Sequence, residues 1–131
     1  MTEKQWKTAE ERLGMPCAMI TLKADGYRID IQTQLDKMKL VLAVYVNGEI
    51  RLEWASNDCE IRRKFYFGEK RTLLSRKQRE ELKKEKKAFQ KAVKEKMEYK
   101  VYTPYWNSFC SLKRHLIKNC TSIEQWEELS V

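Results

Sequence analysis

Residues 19–54 alternate apolar and polar positions. Ile20 and Leu22 alternate with Thr21 and Lys23, and Asp25-Gly26 follows as a two-residue hairpin signal. Tyr27, Ile29 and Ile31 then alternate with Arg28, Asp30 and Gln32. After a looser turn at 34–37 come Met38, Leu40, Leu42, Val44 and Val46, then Asn47-Gly48, then Ile50, Leu52 and Trp54. A period of two places alternate side chains on one face, so this segment predicts a four-stranded antiparallel meander that needs a covering layer. The third strand also carries Val41, Ala43 and Tyr45 on its other face, which predicts a central position covered on both sides.

Helical spacing frames the meander. Trp6, Ala9 and Leu13 form one stripe behind a Thr2/Gln5 capping box, and Gly14 and Pro16 end that helix. Residues 60–74 are open between strand and helix. Phe65 and Phe67 around Tyr66 suggest a fifth strand, and Gly68 a turn. Ser75 and Gln78 start a helix predicted to run to Glu98, with Leu82, Phe89, Val93 and Met97 as its apolar stripe. Arg79 and Lys86 interrupt that stripe. The expectation is therefore that Phe89 anchors the C-terminal half, while the N-terminal half projects toward solvent, a partner or a second copy of the chain. Thr103-Pro104 starts a further helix bearing Phe109, Leu112 and Leu116. A Ser122/Gln125 capping box starts a last one with Ile123, Trp126 and Leu129. The fold class is α+β: an N-terminal helix, a four- to five-stranded antiparallel meander, a long basic helix and two C-terminal helices. It reads as one domain over 1–131, with a sheet region at 15–67 and a helical region at 75–129.

Charge changes this picture. Residues 62–100 hold 16 Lys or Arg against 6 Glu, a net of +10, although the whole chain is only +8. A block this concentrated needs a counter-charge, and nucleic acid phosphate is the commonest. On a continuous helix Lys77, Lys84, Lys87, Lys91 and Lys94 share one face, a ridge suited to a phosphate backbone. Arg62, Arg63, Lys64, Lys70 and Arg71 extend the patch if the preceding segment lies alongside, with Tyr66 among them to stack on a base. Arg76 and Arg79 join the arginines near the helix start, where bidentate contacts belong. Glu80 and Lys84 are spaced as a favourable pair, but Lys87 and Lys91 repel at the same spacing, so the helix is only partly self-neutralised.

Other chemistry is thinly supplied. The longest apolar run, residues 40–46, falls short of the roughly 20 residues of a membrane span. The polar stretch 1–13 is no signal peptide. Cys17, Cys59, Cys110 and Cys120 form no C-x-x-C pair and read as reduced thiols of a cytoplasmic protein. The single histidine, His115, disfavours a catalytic triad and a zinc site with Cys110 and Cys120, and reads as an ordinary surface or half-buried side chain. Asp30 with Glu49-Ile50-Arg51 only approximates a nuclease carboxylate cluster. The four glycines are isolated, so no phosphate loop exists. The aromatic run 99–106 reads as core packing at a helix start, with an exposed stacking platform as the alternative.

No cofactor, metal or catalytic residue is implied. The reading is non-catalytic binding of DNA, RNA or a nucleoprotein complex. The alternative is docking on an acidic protein surface as an inhibitor or adaptor, and a metal-dependent nuclease comes third. The order helix–meander–basic helix, with Lys83-Lys84 and Lys86-Lys87, is similar in outline to double-stranded-RNA-binding domains. The fourth strand and a roughly 20-residue insertion before the helix depart from that outline. In size, charge and absence of motifs the chain resembles small accessory proteins of phages and mobile elements, including anti-CRISPR inhibitors. No residue pattern carries that second resemblance.

Overall fold

The computed structural model describes residues 1–126. The architecture is α+β, with an N-terminal helix, a five-stranded antiparallel sheet and several further helices. Helix α1 (Glu3–Arg12) starts at the expected capping box, in which the Thr2 hydroxyl accepts from Gln5 N and the Gln5 side chain accepts from Thr2 N. Its stripe is buried at Trp6 and Ala9, and Leu13 follows. The Thr33 hydroxyl donates to the Leu13 carbonyl at 2.6 Å and ties the helix end to the sheet.

Strands β1 (Met19–Ala24), β2 (Tyr27–Asp36) and β3 (Lys39–Val46) form the meander in the register the alternation requires. Ile20 pairs with Ile31 and Leu22 with Ile29, and Ile29 and Ile31 then pair with Val46 and Val44. One sheet face is thus continuously apolar. The Asp25-Gly26 turn has positive φ at both residues, 48° and 87°. The second turn uses Lys37 and Met38 at 47° and 70°, a strained choice for residues with a Cβ. On the other face of β3, Val41 and Ala43 are buried and Tyr45 is half-buried, as expected for a strand covered on both sides.

The predicted fourth strand does not form. Residues Leu52–Ser56 are a short helix, α2, with Leu52 83% exposed. Only the Val46–Glu49 bridge follows the Asn47-Gly48 turn. The physical reason is competition for an edge. A remote strand, β6 (Tyr105–Trp106), pairs Trp106 with Leu42 and Tyr105 with Ala43, so that stretch of the β3 edge is already taken. The ambiguous stretch is both helix and strand: α3 (Glu60–Phe65), then β4 (Phe67–Thr72).

The C-terminal expectations also change. Thr103-Pro104 leads into β6, and the helix begins later, as α6 (Phe109–Asn119), capped by Ser108. Residues Ile123–Gln125 form β7 on the free edge of β1, where Leu22 pairs with Gln125, instead of starting a helix. Asp25 accepts from Thr121 N and Ser122 N and holds the incoming chain for that pairing. Leu129 of the expected last helix lies outside the described residues. The sheet order is β6-β3-β2-β1-β7. The core gathers its apolar face with Trp6, Phe65, Tyr66, Trp106, Leu112 and Leu116.

The long basic helix is two helices, α4 (Arg76–Leu82) and α5 (Lys87–Met97), followed by β5 (Glu98–Thr103), which pairs with β4. Four lysines fall within residues 83–87, and an unbroken helix would stack several of them at three- and four-residue spacings. The chain breaks there instead. By compactness, residues 68–101 form one unit, and residues 1–67 with the chain from 102 onward form the other. No helix among the described residues is long and apolar enough to cross a membrane.

Candidate nucleic-acid interface

The unit 68–101 is built to hold its helix break. The Ser75 hydroxyl accepts from Gln78 N and the Gln78 side chain accepts from Ser75 N, completing the expected capping box. At the other end of α4, Lys84 N donates to the Glu81 carbonyl and Glu85 N to the Leu82 carbonyl. The Gln90 amide, one turn into α5, donates to the Glu85 carbonyl at 2.7 Å and the Lys83 carbonyl at 3.3 Å. It thereby satisfies carbonyls that the break leaves without helical partners. Leu73 N donates to the Met97 carbonyl beside the β4–β5 ribbon.

The anchoring of this unit reverses the expectation. Leu82 is 8% exposed and Phe89 is 54% exposed. The break at 83–86 leaves Leu82 turned inward and Phe89 on the surface. The amphipathic stripe drawn on a straight helix does not apply across a break.

Unit 68–101 contains 13 Lys or Arg and 6 Glu, a net of +7. Among the described residues only two of these cations form ion pairs. Arg71 lies 3.4 Å from Glu69, and Arg76 lies 3.6 Å from Glu80. Glu80 is thus committed to Arg76 and not to Lys84, the pair its spacing suggested. On α5, Lys87, Lys91 and Lys94 keep the spacing of one helical face. Lys77 belongs to α4 and Lys84 to the break, so neither continues that ridge. Lys70, Arg71 and Arg79, with Lys94 from the ridge, line a cavity of about 270 Å³ together with Lys83, which the sequence analysis named only among the lysine pairs of the double-stranded-RNA-binding outline. The only sequence signal for Lys83 is its place at the start of the lysine-dense break.

The remaining sequence candidates lie in the other unit, and each has a structural occupation. Tyr66 is 1% exposed, edge-on to Trp54, with its hydroxyl 3.5 Å from the Arg51 carbonyl. Its ring belongs to the core and is not offered to a base. Lys64 lies 2.6 Å from Asp25 and 2.9 Å from Glu60. Arg62 lies over the Tyr102 ring at 3.8 Å, and Arg63 pairs with Asp58 at 3.0 Å. Arg62, Arg63 and Lys64 lie on α3, and these partners consume the charge that composition alone leaves free.

Titration behaviour reflects these environments. Hydrogen bonds from Lys64, Ser122 N and Thr121 N lower the Asp25 carboxyl to about 2. Asp25 and Glu60 in turn raise the Lys64 ammonium well above the usual lysine range. Burial, aided by Lys118, pushes His115 below the ordinary imidazole value. Its Nε2 lies 2.8 Å from the Arg63 carbonyl, so that nitrogen carries the proton and donates. Its ring packs on Trp106 at 5.0 Å. Burial pushes the Cys120 thiol up to about 11, and all four cysteines are free.

Asp30 is buried and accepts from the Thr21 hydroxyl at 2.7 Å, while Glu49 pairs with Arg51 at 2.8 Å. Among the described residues no group of three His, Cys, Asp or Glu is arranged to hold a metal ion. In the aromatic run, Trp106 is buried and its indole N–H donates to the Phe65 carbonyl, whereas Tyr99 and Tyr105 are exposed. Compared with protein-family models, curated proteins and solved structures, the chain matches none of them.

Proposed function

We propose that this protein binds nucleic acid without catalysis, through the unit 68–101. The observation that carries the reading is the unspent charge. Eleven of the thirteen cations in that unit have no ion pair among the described residues. Each that meets a phosphate releases a counterion, so affinity accumulates from many weak contacts without sequence readout. The ridge Lys87–Lys91–Lys94 supplies point charges along a backbone.

The test is fluorescence anisotropy with random-sequence single- and double-stranded DNA and RNA across a salt series. The expected result is affinity that falls linearly on a log–log plot, steeply enough to count several phosphates. Absence of binding at low salt would overturn the reading. Capture of an acidic protein from lysate that survives nuclease treatment, with no nucleic acid affinity, would move the function to a protein surface.

A further inference from the structure

We infer that the cavity in unit 68–101 receives one unpaired nucleotide of the bound strand, its phosphate among the cations and its base on the apolar floor. This inference deepens the proposed function and rests on it.

Four separate stretches of chain converge on the cavity. Lys70 comes from β4, Arg79 from α4, Lys83 from the break and Lys94 from α5. None of these four has an ion pair among the described residues. The only carboxylate on the lining is Glu98, and the fifth cation, Arg71, is already beside Glu69. Positive charges facing one concavity repel each other unless an anion enters, and a concave wall strengthens the attraction for that anion. The floor is apolar, since Leu82 is buried and Leu74 half-buried. An anionic group joined to a flat apolar one is the chemistry of a nucleotide.

Size narrows the choice. A volume of about 270 Å³ lies just below the usual range of ligand pockets and cannot admit a duplex. It admits a strand end or a nucleotide turned out of a stack. Lys83, the C-cap of α4, lines the cavity at the start of the break. Gln90, which holds the break by bonding the Lys83 and Glu85 carbonyls, also lines the cavity.

The test compares two charge-matched double variants of the full chain. One is Arg79→Gln with Lys83→Gln, in the cavity. The other is Lys87→Gln with Lys91→Gln, on α5 and outside the lining. Both are titrated against a single-stranded 12-mer, with and without a 5′-phosphate, and against a hairpin closed at its end. Wild type is titrated with uridine 5′-monophosphate, uridine and inorganic phosphate, with amide chemical shifts as the readout. The cavity pair is expected to lose at least tenfold more single-strand affinity than the ridge pair, while the two lose equally on the hairpin. The mononucleotide is expected to shift the Lys83 and Leu82 amides more than phosphate does, and uridine not at all. A 5′-phosphate that strengthens binding identifies a strand end; indifference to it identifies an internal nucleotide. Equal single-strand losses in the two pairs would overturn the cavity site and leave the ridge reading standing. No binding by wild type to any strand would overturn both. If the cavity pair fails to fold, Lys70→Gln with Lys83→Gln, both in the lining and off the ridge, decides the same question.

Discussion

Lys64 reaches back 39 residues to place its ammonium 2.6 Å from the Asp25 carboxylate, in a hairpin turn that also receives Thr121 N and Ser122 N. One carboxylate thus ties the β1–β2 turn, α3 and the start of β7. Because Asp25 is held at about 2, below its ordinary 3.8, the folded state prefers it ionised. Its stabilising contribution is fully present above about pH 4 and is lost as pH falls through 2. Asp25→Asn should therefore melt below wild type at pH 7, with the two curves converging near pH 2. A constant difference across that range would show that the Asp25 charge contributes nothing.

Lys64 serves this structural cluster and not the proposed nucleic-acid surface. Lys64→Gln should lower the melting temperature yet leave the salt slope of nucleic-acid binding unchanged, measured where the variant is fully folded. A slope reduced by about one unit would return Lys64 to the interface.

Within unit 68–101, the two apolar side chains should respond unequally. Leu82→Ala removes a buried side chain and should cost about 2–5 kcal/mol. Phe89→Ala alters an exposed one and should stay within about 0.5 kcal/mol. Hydrogen exchange of the α4 and α5 amides reads this unit directly. Equal effects would contradict the inward turn of Leu82.

Replacing Lys87, Lys91 and Lys94 with Gln should flatten the salt slope on duplex DNA by roughly 2–3 units, since each phosphate contact contributes about 0.9. An unchanged slope with an intact circular dichroism spectrum would exclude this face of α5.

His115 should set an acid limit well above that of Asp25. Its folded value is lowered from 6.5 by burial first and by Lys118, so the unfolded chain takes up the proton more readily. Stability should fall as pH drops below about 6.5, and the slope should flatten in His115→Gln. A wild-type stability level from pH 7 to 5 would contradict this assignment.

Much of the sheet was legible in the sequence because short-range rules decide it. Alternation at Ile20, Leu22, Ile29, Ile31, Val44 and Val46 leaves one register that buries them all, and Asp25-Gly26 closes the first hairpin. Caps were legible for the same reason: Thr2 with Gln5 and Ser75 with Gln78 bond within one helical turn. The errors share a different cause. Ile50, Leu52 and Trp54 alternate as well as any strand, but Trp106 had taken the β3 edge. Ser122 and Gln125 have helix-start spacing, but Asp25 and the free edge of β1 drew them into a strand.

The candidate site divides along the same line. Sequence by itself determined that the positive charge is concentrated between residues 62 and 100, because covalent order alone sets the local charge density. Tertiary structure decided which of those charges remain unspent. Asp25 lies far enough along the chain from Lys64 that only folding brings the two together, whereas Lys83 and Lys94 gain no such partner among the described residues. It also decided that α4 and α5 are separate helices, and so that Leu82 is covered and Phe89 is not. A helical wheel presumes a continuous axis, and whether the axis continues through Lys83–Lys87 depends on carbonyls being satisfied by Gln90. Ion pairs across long separations, strand edges and helix breaks are settled by which groups meet in space, and the local pattern of residues does not carry that information.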